Sequence, residues 1–342
     1  MNKLAKFILD DCLKIIDNEN FVELNEKTVL ITGATGLIGH YLIGVLDNIS
    51  KKGIKPKKIY VVHQSYLPIY FNDLCNNLNV EFVKGDLTDD FFLKKIPNAD
   101  YIIHAAGYGQ PGKFLDNKIK TIELNTKATI ATLNKLNSNG KYVFLSTSEV
   151  YNGLDNPPFN ENQIGTTNPR DDRACYIEGK RCGEAIVNSF HSQGKNAKSI
   201  RLSLAYGPGT KKDDARVLNN FIQKSLIYNK IELLDSGLSL RTYLYVLDAV
   251  DIIFKILFKG QSNLYNLGGE SRVSILELAN LIAEIIGVNV AVPKINTGLI
   301  GAPSDVFLDM SLFKNEFKFD EFIPLEIGLR NTVEWQKNLY FN

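Results

Sequence analysis

The sequence predicts an α/β protein built on a doubly wound parallel sheet, with a smaller C-terminal lobe that binds substrate. Two observations lead to this fold class. From Thr28 onward, short apolar runs alternate with helical patterns, which is typical of βαβ units with a buried parallel sheet and helices on both faces. A glycine-rich turn follows the first apolar run directly, at the place where such folds bind phosphate groups.

The composition is that of an ordinary folded protein. Its near-zero net charge argues against partners that bind through a strong electrostatic field, such as nucleic acid. Of the 342 residues, 44% are hydrophobic and 23% are charged, the balance of a globular domain. Thirty-nine basic against 38 acidic side chains leave a net charge of +1, so no overall field would recruit nucleic acid or an anionic membrane. We expect neither as a partner.

The cysteines and the N-terminus indicate a cytoplasmic protein without a metal. Cys12, Cys75, Cys175 and Cys182 form no C-x-x-C pair and none of the spacings of a zinc site, and the histidines are scattered singly. The first twenty residues lack the continuous apolar core and the cleavage site of a signal peptide. We therefore expect reduced thiols, no metal site and a cytoplasmic location.

Three segments are predicted along the chain. An extension over residues 1–26 has apolar residues at helical spacing, which indicates an amphipathic helix that packs on the body or on a second subunit. A dinucleotide-binding domain follows at 27–203. The looser pattern beyond it, with a helix over 217–228, indicates a substrate-binding lobe at 204–342, packed against the first domain with a cleft between them.

The glycine-rich turn occupies residues 32–39, which read TGATGLIG. Glycine allows close approach of the backbone, and the N-terminus of the following helix offers N–H groups and a partial positive charge to a pyrophosphate. The turn therefore predicts a dinucleotide site of the Rossmann type. The residues expected to contact the dinucleotide here are Gly33, Thr35, Gly36, Leu37, Ile38 and Gly39.

The cofactor is expected to be NAD, with NADP left open. An acidic residue about twenty positions after the glycines usually binds the adenosine ribose, but the second strand ends VVHQS at 61–65, with neither a carboxylate nor Arg or Lys. Further contacts to the cofactor are expected from Asp86, Leu87, Ala105, Ala106, Gly107, Asn125 and Ser146, and from Tyr176 and Lys180.

Tyr176 and Lys180 lie four residues apart in a helical pattern, so their side chains project from one face. An ammonium beside a phenol, helped by a cationic nicotinamide ring, lowers the pKa of the phenol because the phenolate gains opposite charges. The spacing alone is common in helices. It gains weight from the segment STSEVY at 146–151, which follows an apolar strand at the edge where α/β sites form.

Together these motifs resemble the extended short-chain dehydrogenase/reductase family of nucleotide-sugar enzymes. The resemblance covers most of the chain from Thr28 on, in the order glycine turn, STSEVY, Tyr-x-x-x-Lys, YGPG, RTYLYVLD and YNLGG. Three segments are similar to the UDP-glucuronate decarboxylases, or UDP-xylose synthases, within that family. They are RACYIEGKR at 173–181, PGKFLDNKIKTIELN at 111–125, and DARV at 214–217 followed by NFI.

The resemblance implies an NAD-dependent enzyme that oxidises a nucleotide sugar, most of all a UDP-sugar, at C4. Tyr176 would take the proton of the 4-hydroxyl as hydride leaves C4, and Thr147 would hydrogen-bond that oxygen. A carboxylate at C6 would then be β to a ketone and leave as carbon dioxide. Glu149 would position the sugar or handle a proton at C5.

The resemblance also assigns the remaining site residues. The catalytic candidates are Tyr176, Lys180, Thr147, Glu149 and Ser148. The residues expected to bind the substrate are Phe114, Glu149, Arg216, Val217, Arg241 and Tyr245, with Arg241 on the substrate anion. Family likeness further implies a homodimer through helices at 114–137 and 175–190, and a role in surface-polysaccharide biosynthesis.

Several reactions stay open. Sugar 4,6-dehydratases carry an acid where this chain has Ser148, so dehydration is a disfavoured alternative. A 4-epimerase and an NADPH-dependent 4-keto sugar reductase also remain open. Leu204, Phe114 and Gly209-Thr210 depart from the pattern of the relatives, so the identity of the substrate stays open as well. The alternative from a different class is a non-catalytic dinucleotide-binding protein.

Overall fold

The computed structural model describes residues 1–16, 19–293 and 305–341. Its strands are β1 (Thr28–Thr32), β2 (Lys58–His63), β3 (Val80–Lys84), β4 (Ala99–His104), β5 (Leu136–Thr147), β6 (Asn196–Leu202), β7 (Leu204–Tyr206), β8 (Lys230–Glu232), β9 (Leu240–Tyr245), β10 (Leu264–Leu267), β11 (Ser271–Ser274) and β12 (Asn289–Ala291). Its helices are α1 (Lys3–Cys12), α2 (Leu37–Lys51), α3 (Asp90–Lys95), α4 (Pro111–Asp116), α5 (Lys118–Asn125), α6 (Lys127–Leu133), α7 (Ala174–Ser192), α8 (Val217–Tyr228), α9 (Val246–Lys259), α10 (Ile275–Ile286), α11 (Ser311–Phe317) and α12 (Leu325–Phe341). Residues 294–304 of the predicted C-terminal lobe lie outside the described part.

The main sheet confirms the predicted fold class. Within the described residues it has seven parallel strands in the order β10-β6-β5-β4-β1-β2-β3. Alternate residues of β1 point to opposite faces: Val29 and Ile31 belong to one buried apolar cluster, and Leu30 belongs to another. Both faces of the sheet are therefore covered, as in a doubly wound α/β fold.

The strand order reverses between β1 and β4. The chain runs outward from β1 to β3, then returns to β4 and runs outward on the other side. Thr32 and His104 are register partners at the carboxyl ends of these two strands. Open α/β sheets bind ligands in the crevice at such a reversal.

The segment 204–342, predicted to be mainly a substrate-binding lobe, also contributes to the main sheet. Strand β10 lies in the main sheet, with Leu267 beside Leu202, and α9 just before it is buried along most of its length. Because this apolar helix packs into the main core, the strand that follows it is carried back to the first domain. Outside the main sheet, the C-terminal half forms two small sheets, β11-β9-β7 and β12-β8.

The predicted N-terminal helix is present as α1 and packs on the body. Asp11 is 5% exposed and accepts hydrogen bonds from the hydroxyls of Tyr41 on α2 (2.8 Å) and Tyr245 at the end of β9 (2.6 Å). The side chain of Cys12 lies against Gly44 of α2. A buried carboxylate therefore ties α1 to both halves of the chain.

Candidate active site

A cleft with a volume of about 490 Å³ opens at the carboxyl edge of the main sheet. Turns that follow β1, β2, β4, β5 and β6 line it, together with α7 and the segment before α8. A cavity of this size, lined by both apolar and polar residues, is typical of small-molecule and cofactor sites.

The glycine turn has the geometry of a phosphate-binding turn. Gly33 has a φ of +73°, and a Cβ there would lie 2.6 Å from the carbonyl oxygen of Ala105, so the position requires glycine. A Cβ on Gly39 would lie 2.4 Å from Cα of Ala34, because α2 packs closely on the turn. Gly36 precedes α2, and no side chain caps the N-terminus of this helix. Its first N–H groups are therefore left for an anion.

Most residues predicted to contact the cofactor line the cleft. They are Gly33, Thr35, Gly36, Leu37, Ile38, Gly39, Leu87, Ala105, Ala106, Gly107, Ser146, Tyr176 and Lys180. The other two do not line it. The carboxylate of Asp86 accepts hydrogen bonds from Gln64 (2.8 Å) and Lys120 (3.0 Å), and Asn125 is buried with its amide donated to the carbonyl of Thr121. The Asp86 carboxylate is thus used within the protein, whereas Oδ1 of Asn125 is buried without a hydrogen-bond partner among the described residues.

The residues present fit a dinucleotide. The glycine turn supplies the cradle and the uncapped N–H groups. The hydroxyl of Ser203 lines the same cleft and is buried without a hydrogen-bond partner among the described residues, as expected of a group that bonds a ligand. At the end of β2, Gln64 and Ser65 line the cleft, and the Ser65 hydroxyl lies 3.5 Å from that of Thr35. Neutral polar side chains therefore lie at the position where NAD-binding folds usually have a carboxylate that binds the adenosine ribose.

Lys180 lines the cleft and is held by the neighbouring strand. Its ammonium donates a 2.6 Å hydrogen bond to the carbonyl oxygen of Leu145 and lies 4.6 Å from the centroid of the Phe144 ring. Burial lowers the pKa of Lys180 to about 7, and the carboxylate of Glu184 acts in the opposite direction. The charge of Lys180 will therefore respond to what binds beside it.

Tyr176 is 8% exposed, and its ring stacks on Phe114 with centroids 4.7 Å apart. Burial, and then the carboxylate of Glu149, raise the pKa of its phenol to about 12, while a hydrogen bond with Thr147 and the charge of Arg173 act to lower it. The sequence predicts a lowered pKa, but in the structure burial outweighs the cations. The phenol is therefore protonated at neutral pH and needs further positive charge beside it to act as a base.

Thr147, Ser148 and Glu149 end β5 and begin the turn after it, and all three line the cleft. The backbone N–H of Glu149 donates to Oγ1 of Thr147 over 3.3 Å. The carboxylate of Glu149 lies 2.5 Å from Nη2 of Arg173. With Tyr176 and Lys180 in the same lining, the fold brings all the predicted catalytic candidates to one cleft.

Ser146 lines the cleft, but its hydroxyl bonds inside the protein. It donates over 2.5 Å to Glu184, which is paired with Arg201 at 2.8 Å. Arg201 is 4% exposed and also donates to the hydroxyl of Tyr151, which in turn donates to Asn266. A buried ionic network therefore joins α7, β6 and β10 next to the end of β5.

Among the residues predicted to bind the substrate, Glu149 and Arg216 line the cleft. Arg216 is paired with Asp214 at 2.6 Å. Arg241 is half-buried and does not belong to the lining, and its Nη1 donates to the carbonyl of Leu240 over 2.7 Å. Its role in binding an anion stays a prediction.

The structure places Phe114, Val217 and Tyr245 away from the cleft lining. Phe114 is buried, and its ring stacks on that of Tyr176. Val217 begins α8 and is 42% exposed. The hydroxyl of Tyr245 donates to Asp11 on α1. Contacts of these three residues with a substrate stay predictions.

Arg173 was not predicted, although it opens the segment 173–181 that carries the decarboxylase resemblance. It pairs with Glu149 but lies outside the lining of the main cleft. Lys113 and Lys211 line the cleft and were not predicted either. Lys113 lies in the segment 111–125, so the same resemblance could have indicated it. No sequence motif indicates Lys211. Its position in the cleft lining depends on the conformation of the loop after β7.

Within the described ranges, no group of three or more His, Cys, Asp or Glu side chains is arranged to hold a metal ion. No helix within them combines the length and apolar character needed to cross a bilayer. The four cysteines are free thiols.

Known proteins resemble this chain in sequence and in fold. UDP-glucuronic acid decarboxylase 1 of Xenopus tropicalis is 27% identical over 325 residues, which cover 92% of this chain and 73% of that protein. UDP-glucuronic acid decarboxylase 6 of Arabidopsis thaliana is 29% identical over 283 residues, which cover 81% of this chain and 79% of that protein.

Two solved structures share the fold. The epimerase Mth375 of Methanothermobacter thermautotrophicus has a TM-score of 0.79 at 24% identity, over 95% of this chain and 96% of that one. MoeE5, in complex with UDP-glucuronic acid and NAD, has a TM-score of 0.74 at 22% identity, over 91% of this chain and 99% of that one. The model of the NAD dependent epimerase/dehydratase family matches residues 29–268, from the glycine turn through Tyr176 to β10. The chain therefore belongs to the NAD dependent epimerase/dehydratase family.

Proposed function

We propose that the protein oxidises a nucleotide sugar at C4 and that, with UDP-glucuronate, it releases carbon dioxide and leaves UDP-xylose. The observation that carries the proposal is the convergence of the glycine turn with Thr147, Glu149, Tyr176 and Lys180 in one cleft. The decarboxylases at 27% and 29% identity support it. MoeE5, which has a similar fold, is solved with UDP-glucuronic acid and NAD.

The first half of the reaction needs a base at the 4-hydroxyl. NAD, when bound, supplies the hydride acceptor for C4 and later the hydride donor. Tyr176 takes the hydroxyl proton, and positive charge from Lys180 and Arg173 favours the phenolate that can do so. The hydroxyl of Thr147 hydrogen-bonds the oxygen at C4 as it becomes a ketone.

The second half follows from the ketone. A C6 carboxylate is then part of a β-keto acid, so the C5–C6 bond breaks, its electron pair passes into an enolate on the C4 oxygen, and carbon dioxide leaves. A proton from the solvent adds at C5, hydride returns to C4, and Tyr176 gives its proton back to the C4 oxygen. The sugar loses carbon dioxide with no net redox change.

Ser148 bears on which of the family's reactions follows the oxidation. Elimination of water across C5 and C6 requires an acid for the leaving hydroxyl, and a serine hydroxyl is a far weaker acid than a carboxylic acid. Ser148 lines the cleft beside Glu149, where that acid would be needed. This favours decarboxylation over dehydration.

The mass of the product tests the proposal. The purified protein is incubated with UDP-glucuronate, UDP-glucose and other UDP-sugars, with and without added NAD. We expect UDP-glucuronate to lose the mass of carbon dioxide. An isomer of unchanged mass would make the protein a 4-epimerase, loss of water would make it a dehydratase, and no conversion of any UDP-sugar would contradict the proposal.

A further inference from the structure

We propose that Arg173 is a further specificity-determining residue, which binds the carboxylate of a nucleotide-linked uronate together with Arg241. The inference rests on the proposed function, since it names the group that selects an acidic sugar over a neutral one. It is carried by the contacts of Arg173, by its unused donors and by the charges around it.

Two contacts hold Arg173 beside the proposed reaction centre. Its Nη2 lies 2.5 Å from Oε1 of Glu149, and its guanidinium carbon lies 5.3 Å from the centroid of the Phe114 ring. Phe114 stacks in turn on Tyr176, with centroids 4.7 Å apart. On the sugar, C6 is attached to the carbon next to C4. Arg173 does not line the main cleft itself, but its partner Glu149 does, so a sugar carboxylate that reaches Glu149 can also reach this guanidinium.

The guanidinium of Arg173 has N–H donors that make no hydrogen bond to the described residues. Among the described residues its hydrogen bonding is confined to Nη2 and Glu149, whereas a guanidinium carries five N–H groups. The side chain is 31% exposed, and it lines a second small cavity with Ser148 and Glu149. Its remaining N–H groups form the planar fork that suits a carboxylate.

A second cation lies on the same side of the site as Arg173. Burial, and more weakly the charge of Arg173, lower the pKa of Arg241, whereas Tyr243, Asp305 and Asp235 act in the opposite direction. Asp305 is paired with Arg272, and Glu149 is paired with Arg173. A uronate carboxylate bound by Arg173 would also gain from the charge of Arg241.

Glu149 acts in this arrangement as the resident partner of Arg173. It keeps the guanidinium in the site, and the carboxylate of the sugar takes the N–H groups that Glu149 leaves. A neutral hexose offers no carboxylate to these N–H groups. Arg173 should therefore contribute selectivity between UDP-glucuronate and UDP-glucose, and little to the binding of the nucleotide.

Calorimetric titration of the NAD-loaded protein tests the proposal. Tyr176→Phe serves as the background, so that ligand is not consumed, and dissociation constants are measured for UDP-glucuronate and UDP-glucose. We expect the background to prefer UDP-glucuronate and Arg173→Gln to reduce that preference roughly tenfold, with affinity for UDP-glucose changed by less than about twofold. Arg173→Lys should keep part of the preference. Arg170→Gln, an exposed arginine of the same loop, should keep all of it.

Three results would overturn the proposal: no preference in the background, a preference that Arg173→Gln leaves unchanged, or equal weakening of both ligands. Glu149→Gln is a second test that does not depend on Arg173→Gln folding. It removes the competing negative charge but keeps an amide oxygen that can still hold the guanidinium, so the preference should rise, and a constant or reduced preference would also refute the role of Arg173. Turnover by the wild type separates the two proposals. If the wild type decarboxylates UDP-glucuronate but Arg173 does not cause the preference for UDP-glucuronate over UDP-glucose, only this inference is refuted. If Arg173 causes that preference but the wild type does not decarboxylate, only the proposed function is refuted.

Discussion

Replacing Tyr176 by phenylalanine should lower turnover of UDP-glucuronate by about 10³-fold and leave NAD binding unchanged. The change removes one oxygen atom, and the ring keeps its stack on Phe114 at 4.7 Å. Without the phenol, the 4-hydroxyl loses its base, while Thr147 and the glycine turn are untouched. Steady-state rates measure the loss, and calorimetric titration with NAD measures the retained binding.

Tyr142→Phe is the matched control. Tyr142 is a buried tyrosine of β5 that lies outside the cleft lining, and its hydroxyl bonds that of Thr132 over 2.9 Å. We expect this variant to turn over within about twofold of the wild type. Wild-type turnover by Tyr176→Phe would contradict its assignment as the acid–base residue. Joint loss of turnover and NAD binding would point to a structural role instead.

Replacing Arg201 by methionine should reduce the free energy of unfolding by about 4 kcal/mol. The guanidinium of Arg201 is buried and donates to the carboxylate of Glu184, the hydroxyl of Tyr151 and the carbonyls of Glu161 and Gln163. Methionine fills much of the volume but leaves a buried carboxylate without its cation. Urea denaturation measures the loss.

An exposed pair and a double variant give the controls for Arg201. Arg330→Met breaks an i,i+4 pair with Glu326 in which both side chains are more than half exposed, so it should cost about 0.5 kcal/mol or less. Glu184→Gln with Arg201→Met removes both buried charges and should recover about 2 kcal/mol of the loss from Arg201→Met alone. A cost for Arg201→Met no larger than that of the exposed control would show that the buried network does not stabilise the fold.

The catalytic candidates could be predicted from the sequence because they lie at the ends of regular elements. Thr147 and Glu149 follow an apolar strand, the glycine turn follows another, and Tyr176 and Lys180 lie one turn apart on a helix. Carboxyl ends of parallel strands meet at one edge of a sheet. Local patterns were therefore enough to bring these residues together.

Contacts between distant segments could not be predicted in this way. Tyr245 stands in a family motif, but its hydroxyl bonds Asp11, 234 residues earlier in the chain, and no periodicity marks such a polar pair. Strand β10 has four residues, too few to show that it returns to the main sheet. Arg173 contacts Glu149 and Phe114, which lie in other segments of the chain, and no local pattern reveals these contacts. The homodimer, the cytoplasmic location and the role in surface polysaccharides stay predictions.

UDP-glucuronate carrying deuterium at C4 tests the central claim most directly. The claim is that C4 is oxidised and then reduced within one catalytic cycle, with loss of the C6 carboxylate in between. Mass spectrometry and NMR of the product should find a UDP-pentose that keeps deuterium at C4, with no net consumption of added NAD. Deuterium lost to water, deuterium accumulating in free reduced NAD, or a product that keeps C6 would contradict the account.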